Sequence, residues 1–212
     1  MSETFYKLVR WTGTRIFLVA SAPRVLHAER AARPGAYLLA SNHTSAYDAP
    51  LLIASTPRII RWLSITEIFR NPLMGWFLRG MGAEPLDRQS VDTRTVRAVV
   101  RRLRAGDVVG IFPEGGTRPD DESVLAGGRI LDGVCKLAYL ARVPVLPAVV
   151  LGSAKFNHWT CWLPGARTRW AIVFGDAIFP NAEDDRAAGC ERMRTEIEQA
   201  MRTLQTEIAD YV

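Results

Sequence analysis

Lysine is nearly missing from the basic residues of this chain. Of 27 lysines and arginines, only Lys7, Lys136 and Lys155 are lysine, which leaves 24 arginines against 22 acidic residues and a net charge of +5. A mild basic excess suits an anionic partner: nucleic acid, a phospholipid surface, a phosphorylated substrate or coenzyme A. Arginine is the better residue for forked contacts to phosphate, and an arginine bias also accompanies a GC-rich genome. Cysteine is scarce as well. Cys135, Cys161 and Cys190 are three, far apart and without a CxxC, which argues against a disulfide framework or a zinc site and points to a reducing compartment. Long apolar runs are missing too. The longest, Val143 to Gly152, contains Pro144 and Pro147 and falls far short of the roughly 18 residues of a spanning helix. The first residues lack the apolar core and small-residue cleavage site of a signal peptide. No spanning segment is expected, and a mean hydropathy of +0.01 leaves a surface-bound protein open.

What is present is a globular composition. The 212 residues, 48% hydrophobic and 23% charged, fit one domain with a core large enough to fold without metal or disulfide. Residues 4–20 mix Phe5, Leu8, Val9, Trp11, Ile16, Phe17 and Val19 with Lys7, Arg10 and Arg15. This pattern reads either as an interfacial amphipathic helix, reaching from residue 1 to 25, or as an ordinary helix over the core. From residue 36 onward short apolar runs alternate with helical patterns. Strands are expected at 36–41, 58–65, 83–86, 108–112, 145–150 and 169–175. Helices are expected at 47–55, 66–80, 91–104, 129–141 and, at the end of the chain, 182–212. Val96, Val99, Val100 and Leu103 follow helical spacing within 91–104. Alternation of this kind predicts an α/β fold, a mostly parallel central sheet flanked by helices, with its motifs in a core at 36–175. In such sheets ligands bind at the carboxyl ends of strands.

The first strand runs directly into Asn42-His43-Thr44-Ser45-Ala46-Tyr47-Asp48. Five residues of continuous helix would turn the His43 and Asp48 side chains about 140° apart. They meet only if His43 sits on the strand-to-helix turn and Asp48 in the first helical turn, with Thr44 and Ser45 as capping residues. Asp48 would then hold one imidazole nitrogen and leave the other to take a proton from a hydroxyl. Asp48 is equally at home as a plain N-terminal acid of a helix.

Three further segments follow in order: Gly82-Ala83-Glu84-Pro85-Leu86-Asp87-Arg88, Phe112-Pro113-Glu114-Gly115-Gly116-Thr117-Arg118, and Val143-Pro144-Val145-Leu146-Pro147. With the NHTSAYD segment they resemble the four motif blocks of the glycerolipid acyltransferase family, whose best-known members are the 1-acyl-glycerol-3-phosphate (lysophosphatidic acid) acyltransferases. The resemblance covers about residues 36–150. It implies a glycerol-phosphate acyltransferase-like fold and a single domain over 1–212. It implies that His43 is the general base and that Asp48 orients it. Arg88 and Arg118 would grip the acceptor phosphate, with Glu114, Gly115, Gly116 and Thr117 shaping that site. Asn42, Gly82, Pro113, Pro144 and Pro147 would be structural or line the acyl site. No cofactor is implied: acyl-CoA or acyl carrier protein enters as co-substrate, a lysophospholipid as acceptor, at the cytoplasmic surface of the membrane.

Two departures stand out. The third block has two glycines where the family pattern has one, which shifts Arg118 by one residue, and Pro119 stands where a serine usually follows. Thr66 precedes Glu67-Ile68-Phe69 where many relatives carry a lysine. The shifted arginine keeps other acceptors open, glycerol 3-phosphate or a lyso-ornithine lipid among them. A non-catalytic membrane-binding module is the reading from another class. The arginines of 91–104 suit an acidic carrier protein, coenzyme A phosphates or a solvated face. No nucleic-acid recognition motif accompanies the basic charge. His158 and Cys161 lack the companions of a metal site.

Overall fold

The computed structural model describes residues 3–86, 93–118, 121–181 and 185–212. Seven strands form one sheet: β1 (Ser21–Leu26), β2 (Tyr37–Ser41), β3 (Ile60–Ile65), β4 (Glu84–Leu86), β5 (Val108–Ile111), β6 (Val145–Leu151) and β7 (Thr168–Phe174). Their order is β1-β7-β6-β2-β5-β3-β4. All neighbours are parallel except β6 and β7, which run antiparallel.

Alternate strand residues face opposite layers, as a period of two dictates. Leu38, Ala40, Val109, Val145 and Val149 pack under α5 (Thr93–Arg104), α6 (Gly133–Ala141) and α7 (Arg186–Ile208). Tyr37, Leu39, Ile60, Trp62 and Val150 pack against Phe17 of α1 (Glu3–Ala20) and Leu51 and Leu52 of α3 (Asp48–Ser55). A four-residue turn, α2 (Ala28–Ala31), and α4 (Pro72–Met81) complete the helices. No helix among the described residues is long and apolar enough to cross a membrane.

Several expected boundaries move. The N-terminal helix does not reach residue 25. It ends at Ala20, and Ser21–Leu26 is an edge strand beside β7. Pro23 is tolerated there because an edge strand need not donate on both sides. The helix expected at 66–80 divides. A 3-10 turn spans Thr66–Arg70, and Asn71 caps α4 by accepting from Leu73 N and Met74 N at 3.0 and 3.1 Å. Pro72 thus sits at the first helical position, where its missing N–H costs nothing. α6 begins at Gly133 rather than 129, and the last helix covers Arg186–Ile208 within the expected 182–212.

Candidate active site

The carboxyl ends of β2, β5 and β6 meet at one edge of the sheet. Asn42, the first residue past β2, is fully buried and bridges to the end of β6. Its Nδ2 donates to Val150 O at 2.9 Å, and Val150 N donates to its Oδ1 at 2.8 Å. This clamp fixes where the chain leaves the sheet and therefore where His43 begins.

His43 and Asp48 come together as their spacing requires. His43 Nδ1 lies 3.0 Å from Asp48 Oδ2. The same oxygen accepts from Thr44 N and Ser45 N, both at 2.8 Å. Thr44 and Ser45 are therefore not side-chain caps of α3, as the sequence suggested. They give backbone N–H groups to the Asp48 carboxylate, Ser45 Oγ accepts from Tyr47 N at 3.2 Å just ahead of the helix, and Tyr47 occupies the cap position without a side-chain bond. Asp48 is fully buried, whereas the His43 side chain keeps 18% of its surface open. No described residue bonds to His43 Nε2. No serine or cysteine hydroxyl or thiol of the described chain bonds to it either.

Beneath the imidazole is an aromatic stack that the motif reading did not contain. Phe112 lies face to face with His43, ring centres 4.0 Å apart and planes 10° apart. Trp62 lies under Phe112 at 4.7 Å and 17°. Space for Trp62 comes from Gly110, its register partner on β5. A Cβ on Gly110 would fall 2.7 Å from both Ile60 Cγ2 and Trp62 Cε3. A glycine inside a strand commonly marks such a close approach. Nothing local in the sequence links Gly110 or Trp62 to His43, since only strand register joins them.

The Phe112–Arg118 block lies directly behind the histidine. Glu114 is buried, and the chain itself occupies its carboxylate. Oε2 accepts from His43 N at 3.2 Å, and Oε1 accepts from Ser123 Oγ at 2.8 Å and Val124 N at 3.0 Å. These bonds tie the start of the His43 turn to the 123–124 segment, beside the acceptor-shaping place that the resemblance implied for Glu114. Ser123 carried no sequence signal, because its partner is nine residues away across a loop. Gly115 adopts φ +75°, which lets the chain turn within the two-glycine segment. After the turn, Arg118 N donates to His43 O at 2.8 Å. The Arg118 side chain is half exposed and approaches Glu122 Oε2 at 3.5 Å. Thr117 is exposed, Gly116 partly buried and Pro113 buried.

The remaining expected residues separate into structural roles and one outside view. Gly82 ends α4 in a left-handed cap at φ +74°, with its N–H on Arg79 O. Pro144 is buried where the chain enters β6, and its carbonyl accepts from Leu38 N at 3.0 Å. That places it six positions before Val150, about 20 Å from the His43 edge at strand rise. Pro147 sits mid-strand and accepts from Gly175 N at 2.8 Å. Arg88 lies outside the described residues. No group of three or more metal-ligating side chains assembles among the described residues.

A histidine tied to a buried carboxylate, with its far nitrogen open, can do general-base chemistry on a hydroxyl brought by a substrate. A family model described as Acyltransferase matches residues 23–151, which include both the His43 and Glu114 blocks. The chain belongs to the acyltransferase family. It is 27% identical over 133 residues to the 1-acyl-sn-glycerol-3-phosphate acyltransferase of Bacillus subtilis (strain 168), a match covering 62% of this chain and 64% of that protein. It is 32% identical over 124 residues to a chloroplastic 1-acyl-sn-glycerol-3-phosphate acyltransferase of Arabidopsis thaliana, covering 58% of this chain and 33% of that one. The chain thus spans less than two thirds of the length of these relatives. The crystal structure of the 1-acyl-sn-glycerophosphate acyltransferase PlsC from Thermotoga maritima superposes with a TM-score of 0.75 at 20% identity, over 98% of this chain and 80% of that one. That likeness shows a shared fold.

Proposed function

We propose that the protein transfers a fatty acyl group from the thioester of acyl-CoA or acyl carrier protein to the free hydroxyl of 1-acyl-glycerol 3-phosphate, giving phosphatidic acid. The observation that carries this reading is the His43–Asp48 pair at 3.0 Å, with Nε2 bonded to no described residue. In the reaction, Nε2 accepts the hydroxyl proton as the substrate oxygen attacks the thioester carbonyl. The buried Asp48 carboxylate stabilises the imidazolium. The C–S bond then breaks, and the imidazolium returns its proton to the departing thiolate. The family likeness to enzymes named for this acceptor supports the substrate, and the solvent-facing side of α1 supports a peripheral place at a membrane.

The test is lipid mass spectrometry after incubating the protein with an acyl-CoA mixture and a panel of lysolipids and glycerol 3-phosphate. Phosphatidic acid as the main product is the expected result. The extra glycine and the approach of Arg118 to Glu122 favour a second reading, a different headgroup at the same hydroxyl chemistry. Preferred acylation of a phosphate-free acceptor would establish that second reading and remove the arginines as phosphate ligands.

A further inference from the structure

Between Ile111, the end of β5, and Gly133, the start of α6, the described chain forms one 3-10 turn, Val124–Ala126, and no other helix or strand. A segment this long without ladders of its own keeps one conformation only through ties to its surroundings. Toward the site, Ser123 and Val124 tie it to Glu114, and Leu131 N donates to Pro113 O at 2.7 Å.

The other side of the segment is held by α7. Arg194, Glu198 and Arg202 recur every four residues, which places them along one side of that helix. Each reaches a different point. Arg194 Nη1 donates to Asp132 Oδ1 at 2.9 Å. Glu198 Oε1 accepts from Ile130 N at 3.1 Å. Arg202 Nε donates to Val124 O at 3.2 Å. Glu198 Oε2 lies 3.5 Å from Arg202 Nη2, so these two anchors brace each other. Glu198 is buried, and a carboxylate at that depth is costly unless it is paired and hydrogen-bonded.

Val124 is the joint between the two sides. Its N–H goes to Glu114 Oε1, and its carbonyl receives Arg202 Nε. One residue therefore links the α7 face to the carboxylate that accepts His43 N. The matched family region ends at residue 151, so all three anchors lie outside it.

We infer that Glu198 and Arg202, with Arg194 beside them, are positioning residues for His43. Through Val124, Ile130 and Glu114 they set where the imidazole stands. They touch no reacting atom, so they govern turnover and leave acceptor binding alone. This kinetic consequence rests on the acyl-transfer reading above, whereas the placement of the imidazole does not.

The test follows both. Arg202→Met keeps the apolar stem and removes the donor, and Val124 O still accepts from Gly127 N at 3.3 Å, so the fold should survive. Glu198→Ala removes the acceptor of Ile130 N. Ile208→Val, in the core at the far end of α7, is the control for plain loss of stability. Proton–nitrogen correlation spectra of the histidine rings read the imidazole directly, with the His43 signal assigned by its loss in His43→Ala. In Arg202→Met that signal should shift, and kcat should fall about 10–10²-fold, as displacement of a reacting group does, with acceptor KM within about twofold. Arg202→Lys, which can still donate to Val124 O, should recover most of the rate. Ile208→Val should change neither signal nor kcat. An unmoved His43 signal with unchanged kcat in both Arg202→Met and Glu198→Ala would overturn the inference. An equal loss of kcat in Ile208→Val, or a rise in acceptor KM alone in Arg202→Met, would overturn it too. A shifted signal in a protein whose wild type acylates no lysolipid would uphold the positioning and defeat the acyl-transfer reading.

Discussion

The imidazole of His43 is held from three directions. Asp48 Oδ2 takes its Nδ1 side, Phe112 lies under its face, and Glu114 accepts its backbone N–H. All three supports stand in blocks quoted from the sequence, Asp48 with His43 and Phe112 with Glu114, but the stacking of Phe112 on the imidazole was not legible there. The role of Glu114 was not legible, since its partners Ser123 and Val124 depend on how the 113–131 loop folds back. Both Glu114 oxygens accept a backbone N–H, one from His43 and one from Val124. In Glu114→Gln the amide NH2 must therefore face one of those donors, whichever way it is turned. An unsatisfied buried pair of this kind costs about 1–3 kcal/mol. Urea unfolding of Glu114→Gln should show that loss. Turnover should fall while KM for the acceptor holds, because Glu114 acts through His43. A rise in acceptor KM at unchanged stability would return Glu114 to the acceptor site.

At the scale of elements, strand periodicity and turn chemistry carried most of the reading. The apolar runs at 36–41, 108–112 and 145–150 became β2, β5 and β6 because central parallel strands are buried on both faces. The 66–80 segment misled because its apolar content suits one helix, yet Asn71-Pro72 is itself a helix start. β1 escaped detection because Pro23 and Arg24 interrupt its pattern, and only pairing with β7 makes it a strand. Register between β3 and β5 supplies the element-scale prediction. Gly110→Ala places a methyl against Ile60 and Trp62, neither of which has a long flexible end to move aside. Overpacking at such a site costs about 1–3 kcal/mol. Chemical denaturation should register it, and activity should drop with the displacement of Phe112 from beneath His43. A fully stable, fully active Gly110→Ala protein would show that the stack is not needed.

For the whole molecule, the alternation of strands and helices predicted the mostly parallel sheet, and the sheet in turn predicted a site at strand carboxyl ends. The reversal of β7 could not be read, because antiparallel and parallel partners share the same apolar pattern. Burial across the two layers also links the fold to alkaline pH. The Cys135 thiol is pushed by burial from 9.0 up to about 12, and burial raises the Tyr37 phenol from 10.0 to about 12 against the pull of Arg58 and Arg33. Raised acid groups bind more protons in the folded than in the unfolded chain. Their stability contribution is therefore intact below about pH 9 and is lost as pH rises toward about 12. Melting temperature followed from pH 8 to 11.5 should decline in that window, and Cys135→Ala should flatten the decline relative to its own neutral-pH value. An unaltered slope in the variant would show that the thiol is not linked to folding.

Thiol release from acyl-CoA in the presence and absence of 1-acyl-glycerol 3-phosphate, for the wild type and His43→Ala side by side, tests the central claim most directly. Release should require the lysolipid and should fall by about 10²–10⁴-fold in His43→Ala, with the circular dichroism spectrum retained. Lysolipid-dependent release that survives intact in His43→Ala would contradict the account of this site.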